Sequence, residues 1–199
     1  MLLLTAGSLF AQQEIGLHFA RDIWQSNRTN PAFTTDKKLV VVLPGFYFNT
    51  RTENFSFADL ISENGDGKVL NINAVINQLA ERNDLTENLH LQTFGIAYRL
   101  NALTLSFDHS IRQNAYFNYP KTLPQLIWQG NAQFVGETID LTHNLNISAF
   151  NEFALGAAVQ ISPQFSIGAR AKLLSGIGNV ATERGGLALR TDADVYQLS

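Results

Sequence analysis

The sequence has no cysteine, few charged residues and no cluster of basic residues. Without cysteine there is no disulfide, thiolate metal site, cysteine nucleophile or lipidated cysteine. Charged residues make up 16% of the 199 residues, below the ~25% that is usual for globular domains. The net charge is -3. With Lys and Arg scattered along the chain, nucleic acid is excluded as an expected partner.

Long apolar runs are also missing after the first residues, so no transmembrane helix is predicted. The N-terminus is an apolar run that ends in a small residue, Ala11. This pattern predicts a signal peptide over residues 1–11, although the positively charged start of such peptides is missing. An exported chain without a membrane helix can enter a bilayer only as a closed β-barrel, because an open sheet edge is not satisfied in lipid.

Alternating apolar and polar residues predict long strands over residues 103–111, 147–161 and 165–177. In the second of these, Asn151 is the one break in the apolar face. Soluble proteins mostly use strands of ~5–6 residues, whereas a tilted strand that crosses a bilayer needs about 9–11. The lengths therefore favour a mostly β fold, namely an antiparallel outer-membrane β-barrel with one or two short helices.

The connections between these strands follow from which residues must share a face. A first hairpin requires a two-residue loop at Asn101 and Ala102. A second requires a three-residue loop over residues 162–164, which places Leu155 opposite Ala171. Short loops are typical of the periplasmic end of a barrel, so the longer segments 112–145 and 178–188 are expected at the other end.

The remaining elements are shorter. An apolar spacing of three and four residues predicts a helix over 71–82, capped by Asn71 or Asn73, and a second helix is predicted over 121–129. Residues 39–49 are predicted to form a strand that bends at Pro44. About five to seven strands result, fewer than the eight of the smallest single-chain barrels. Residues 12–199 are therefore predicted to be an incomplete N-terminal part of a barrel domain.

The charged residues of the two hairpins form the candidate site. Glu152, Arg170 and Lys172 are predicted to lie on the polar face as a lumen-facing charge cluster, and a carboxylate–base pair in a binding site is the alternative. Asp108 and Arg99 are expected to pair in the same way on the first hairpin. No catalytic group, metal site or cofactor is predicted, because the four histidines lack ligand spacing and no nucleophile motif occurs.

Nine short motifs resemble, in order, a family of outer-membrane proteins from Bacteroidota known as domain of unknown function 5723. They are GLHF at 16–19, RD at 21–22, NPAF at 30–33, LPG at 43–45, FSFADLI at 55–61, FNYP at 117–120, WQGN at 128–131, EFALG at 152–156 and IGARAK at 167–172. The resemblance implies a barrel of about twice this length in the cell outer membrane. It implies no catalytic residue.

Two classes of function follow from these observations. The first is an outer-membrane barrel in contact with lipid, with a role in solute transport or as a scaffold for other envelope proteins. The alternative is a soluble exported β-sandwich that binds a ligand, the identity of which the sequence does not indicate. An enzyme of the outer-membrane lipase type is a weaker third hypothesis, because no Ser, His and Asp grouping is present.

Overall fold

The computed structural model describes residues 15–20, 23–64, 67–192 and 196–198. The predicted signal peptide lies outside these residues. The described α-helices are α1 (Ile15–Phe19), α2 (Ile72–Gln78) and α3 (Thr122–Gln129), and short 3-10 helices span Trp24–Arg28, Phe57–Leu60 and Ala132–Phe134. The described strands are β1 (Leu39–Val42), β2 (Gly45–Thr52), β3 (Ile61–Asn64), β4 (Gly67–Leu70), β5 (Arg82–Leu100), β6 (Leu103–Pro120), β7 (Thr138–Asp140), β8 (Asn144–Ser162), β9 (Phe165–Ala181), β10 (Ala188–Thr191) and β11 (Tyr196–Leu198).

Four strands are much longer than the others. β5 and β8 have 19 residues each, β6 has 18 and β9 has 17. They extend well into segments 112–145 and 178–188, which were predicted to be loops. The alternation in the sequence ends before the backbone pairing does. The ends of these strands that lie far from the hairpin turns carry polar and apolar residues on both faces.

Both predicted hairpins are present. The first turns at Asn101 and Ala102 as predicted, and Asn101 has the positive φ of 53° that such a turn requires. In the second, β8 runs through Ser162, so the connection is Pro163 and Gln164 and the predicted three-residue loop is wrong in its bounds. The predicted sidedness holds, because the exposed residues of β8 and β9 near the turn are the odd-numbered ones.

The long strands form one sheet of six strands. Its order is β1-β5-β6-β8-β9, and β2 also pairs with β5. The strands are antiparallel, and no closed barrel is found in the described part of the chain. The predicted bend at Pro44 divides its strand into β1 and β2. Val40 and Ala97 are partners in the register of β1 with β5.

The chain divides into two compact units. The first comprises the described residues up to Tyr47, together with 90–112 and 150–176. Its small apolar cluster consists of Trp24, Val42 and Ala97, with Val40 packed against it. These side chains anchor the N-terminal segment to one face of β1 and β5.

The second unit comprises the described residues of 48–89, 113–149 and 177–199. Its apolar cluster is built around Phe134, Ile139 and Leu141. A small sheet of order β11-β10-β7 and the β3-β4 hairpin also belong to it. No helix in the described residues has the length and apolarity to cross a membrane.

The two predicted helices are present in this unit. Asn71 caps α2 by accepting a hydrogen bond from the Ala74 backbone N–H at 3.1 Å. The helix ends at Gln78 rather than at residue 82, because the Asn83 side chain bonds both the N–H and the carbonyl of Ala80 and turns the chain into β5. α3 starts at Thr122 and ends before Gly130, whose φ of 77° suits the end of a helix.

Candidate functional site: a buried polar face and its strap

The two faces of the sheet in the first unit differ in polarity. One face, here called the polar face, buries hydroxyl and charged side chains. Its buried polar residues on β5, β6 and β8 are His90, Gln92, Thr104, Ser106, Asp108, Ser110 and Glu152. On β5 the alternation shifts by one residue between Gln92 and Gly95, so that the even-numbered His90 and Gln92 are buried before the shift, whereas even-numbered residues are exposed after it. The other face, here called the apolar face, exposes large apolar side chains. On β5, β6 and β8 these are Phe94, Ile96, Tyr98, Leu100, Leu105, Leu155, Val159 and Ile161.

The centre of the polar face is an ion pair between two strands that are not neighbours. Arg170 on β9 donates through Nη2 to Asp108 Oδ1 on β6 at 2.6 Å, and β8 lies between them. Strands two positions apart are separated by about 9–10 Å. The arginine side chain crosses this gap over β8, whose polar face carries the small residues Ala154, Gly156 and Ala158.

Glu152 forms a second set of ion pairs on the same face. Its carboxylate lies 3.0 Å from Arg112 Nε and 3.2 Å from Lys172 Nζ. The Arg112 contact is close in distance but does not have the angle of a hydrogen bond at Nε. The Glu152 side chain is 5% exposed, whereas that of Lys172 is 41% exposed. Glu152 therefore has its charge balanced inside the protein rather than by solvent.

These contacts correct the predicted grouping in part. Glu152 and Lys172 do pair, but Arg170 pairs with Asp108 and not with Glu152. The predicted pair of Asp108 with Arg99 is wrong, since Arg99 binds Asp36 at 3.1 Å and the Gln160 side chain. Asp108, Glu152 and Arg170 are buried on the polar face. Their partners depend on strand order, which the alternation of residues along one strand does not contain.

A segment of residues 23–36, which begins with the 3-10 helix Trp24–Arg28, covers the polar face and is here called the strap. Asn27 accepts a hydrogen bond from Arg170 Nη1 at 3.0 Å, and Arg28 lies 3.3 Å from His90 Nδ1. At the other end, the Thr35 carbonyl accepts a hydrogen bond from Arg99 at 3.2 Å. The strap therefore contributes polar groups to the buried network instead of apolar side chains alone.

The strap is held in shape by its own hydrogen bonds. The Asn27 amide donates to the carbonyls of Pro31 and Phe33 at 3.0 and 3.2 Å. The Asn30 side chain accepts from the Ala32 N–H at 3.0 Å. The sequence motif NPAF at 30–33 thus forms a compact turn in which the side chains of Asn30 and of the preceding Asn27 satisfy nearby backbone groups.

The strap touches the backbone of β9 at a glycine. A Cβ atom on Gly168 would lie 2.5 Å from the Pro31 carbonyl carbon and 2.6 Å from the Ala32 nitrogen. No side chain fits at that distance, so only glycine permits this contact. The strap was not predicted, because residues 23–36 have no periodic pattern in the sequence. The only available signal was the asparagine-rich turn next to Pro31.

Two polar atoms of the central pair have no hydrogen-bond partner in the described residues, namely Asp108 Oδ2 and Arg170 Nε. No group of three or more His, Asp or Glu side chains is placed to hold a metal ion in the part of the chain that the structure describes. The polar face offers charged and hydrogen-bonding groups that hold one another and the strap.

A family model described as "Family of unknown function (DUF5723)" matches residues 31–199, which is most of the chain. The chain belongs to this family. The DUF5723 match includes β1 to β11, and it begins at Pro31 within the strap. Comparison with curated proteins gave no match, and comparison with solved structures gave none either.

Proposed function

We propose that this DUF5723 protein is an outer-membrane β-barrel protein whose apolar face contacts lipid and whose polar face points into the barrel. The observation that carries the proposal is the reversed polarity of the sheet. Asp108, Arg170 and Glu152 have side chains that are 4–5% exposed, while Leu155 and Ile161 are 63% and 61% exposed.

Water is a poor environment for this arrangement. Eight large apolar side chains of the apolar face are exposed on β5, β6 and β8, whereas soluble monomers rarely expose apolar patches beyond a few hundred Å². Each large apolar side chain gains about 1.5–3 kcal/mol when it leaves water. Contact with hydrocarbon satisfies the apolar face, and the strap satisfies the polar face.

Strand length supports the same proposal. β5, β6, β8 and β9 have 17–19 residues. That exceeds the ~9–11 residues needed to cross a bilayer at a tilt. Barrels of this class have at least eight strands, so closure requires strands in addition to the six of this sheet.

The role of the barrel is proposed to be structural or permeation-related, and not enzymatic. The strap fills part of the polar face, so a solute that moved along this face would have to displace it. A scaffold for other envelope proteins needs no such movement. The outer membrane of Bacteroidota is the proposed location, on the basis of the sequence resemblance.

The test is a charge placed on the apolar face of the full chain with its export signal. Leu155→Arg should strongly reduce membrane insertion, because Arg near the bilayer midplane costs about 2–4 kcal/mol, whereas Ile161→Arg, next to the hairpin turn, should have a small effect, because the cost there falls to about 0–1 kcal/mol. Gln164→Arg is the matched control, because Gln164 lies in the exposed turn immediately before β9, and it should leave insertion unchanged. Fractionation, detergent extraction and heat-dependent gel mobility are the measurements.

A soluble β-sandwich would give the opposite result. The unmodified chain would leave the membrane fraction without detergent, and Leu155→Arg would raise its solubility. Either observation would refute the barrel.

A further inference from the structure

A row of three polar side chains crosses the otherwise apolar face. Thr93 Oγ1 on β5 lies 2.7 Å from His109 Nδ1 on β6. His109 Nε2 lies 3.2 Å from Asn151 Oδ1 on β8. Asn151 interrupts the apolar alternation of β8, and its side chain contacts His109 on the neighbouring strand. We call these three residues the polar row.

Aromatic rings surround the polar row. The His109 ring lies 4.5 Å from that of Phe153 and 5.8 Å from that of Phe94, and Phe94 in turn lies 5.7 Å from Phe107. Aromatic residues form girdles around membrane barrels at the two levels where hydrocarbon gives way to headgroups. A hydrogen-bonded polar row with aromatic rings beside it has the composition of such a level.

Exposure changes at the polar row. On β5, β6 and β8, the large apolar side chains that are exposed lie between the row and the hairpin turns, apart from Tyr116, whose hydroxyl bonds Asp84. Leu91 and Ile111, on the other side of the row, are only partly exposed. β9 does not take part in the row and is exposed on both faces beyond Lys172, so it does not mark a boundary.

The dimensions fit. From Asn151 to Ile161 is about ten residues, or roughly 33 Å along the strand. At a tilt of ~40° this rises about 25 Å, close to the ~25 Å height of the apolar band of outer-membrane barrels. On β5, from Thr93 to Asn101, the corresponding rise is roughly 20 Å.

We propose that the polar row marks one boundary of the bilayer's hydrocarbon region, with lipid headgroups as its partner. The hydrocarbon then contacts only the stretch between the row and the two hairpin turns. The strand segments beyond the row stand outside the hydrocarbon. This proposal rests on the proposed membrane location and adds where along the strands the bilayer lies.

The absence of cysteine allows a clean test by single-site labelling of the full chain. Nitroxide labels at Leu105→Cys and Leu155→Cys, and at Leu91→Cys and Ile111→Cys beyond the row, are compared in vesicles of phosphatidylcholine and phosphatidylglycerol. The measurement is collision with oxygen, which concentrates in hydrocarbon, against collision with a water-soluble nickel chelate. A label at Gln164→Cys, in the hairpin turn, provides the aqueous reference.

Labels at 105 and 155 should collide mainly with oxygen. The ratio of chelate collisions to oxygen collisions should be at least fivefold higher at 91 and 111 than at 105 and 155. If 91 and 111 are as shielded from the chelate as 105, the row lies inside the hydrocarbon and this proposal is wrong while the barrel stands. If all positions meet the chelate as readily as 164 does, the membrane location itself fails.

Discussion

Arg170 and Asp108 form an ion pair 2.6 Å long across an intervening strand, with side chains only 5% and 4% exposed. Neither charge has access to bulk solvent. Each therefore depends on the other for compensation, and Asn27 of the strap binds the same guanidinium at 3.0 Å. The pair thus links β6, β9 and the strap.

Removal of one partner should leave a buried charge. We expect Arg170→Met to lower the free energy of unfolding by about 3–5 kcal/mol, as is usual for a broken buried pair. The measurement is denaturant unfolding of the detergent-solubilised chain. The double variant Asp108→Leu with Arg170→Met should recover much of the loss, because no uncompensated charge then remains.

The exposed pair of Arg190 and Asp192 is the control. Its side chains are 55% and 39% exposed, so Arg190→Met should change stability by less than about 1 kcal/mol. Equal losses for the two arginines would show that burial does not determine the strength of the Arg170 pair.

Glu152 should matter more than its more exposed partner. Glu152→Gln removes the carboxylate that lies between Arg112 and Lys172, and we expect a loss of roughly 3 kcal/mol or more. Lys172→Met should lose less than about 1 kcal/mol, because Glu152 keeps its contact with Arg112 and the lost lysine is 41% exposed. Unfolding midpoints compare the two. A larger effect of Lys172→Met would contradict the assignment of Glu152 as the buried centre.

Gly168 should be required for the strap to stay on the polar face. Gly168→Val places methyl groups where the Pro31 carbonyl now lies, so the strap must move away. Trp24, 8% exposed, should then become solvent-exposed and its fluorescence should shift to the red. Trp128 is replaced by Phe in all variants to isolate this signal.

Gly176→Val on the same strand is the matched change, since no atom lies within 4 Å of its Cβ position. It should leave the emission of Trp24 unchanged. An unshifted spectrum for Gly168→Val would mean that the strap tolerates a side chain at this contact.

Asp140 should contribute to stability only above strongly acidic pH. Hydrogen bonds from the Thr142 hydroxyl, and then from the Thr142 N–H, lower the pKa of this carboxyl below its ordinary 3.8. A lowered folded-state pKa gives stability that is present above about pH 4 and is lost as the pH falls through the folded value. The stability difference between the unmodified chain and Asp140→Asn should therefore shrink between pH 6 and pH 3. The side chain is 57% exposed, so the effect is small, and a difference independent of pH would contradict it.

The strands could be predicted because their signal is local. Leu105 and Phe107 alternate with Ser106 and Asp108, and this period of two fixes both the extended backbone and the face of each side chain. The turn at Asn101 has an equally local cause. Strand ends were underestimated, since pairing with a neighbour extends β6 to Pro120 where its own pattern no longer alternates.

The strap and the C-terminal end of α2 are only weakly indicated by local sequence patterns. Residues 23–36 carry no repeating pattern, and the contact of Pro31 with Gly168 joins segments far apart in the sequence. α2 stops at Gln78 because Asn83 binds the backbone of Ala80, a capping contact that the apolar spacing of the helix does not encode.

By itself, the sequence determined that long strands form, where two hairpins turn and which side chains share a face, because each depends on residues close together in the chain. Only the tertiary structure decided that Arg170 pairs with Asp108, that Glu152 pairs with Arg112 and Lys172, and that Asn151 meets His109. These partners lie on different strands, and their meeting depends on strand order and register. The alternation of one strand contains neither.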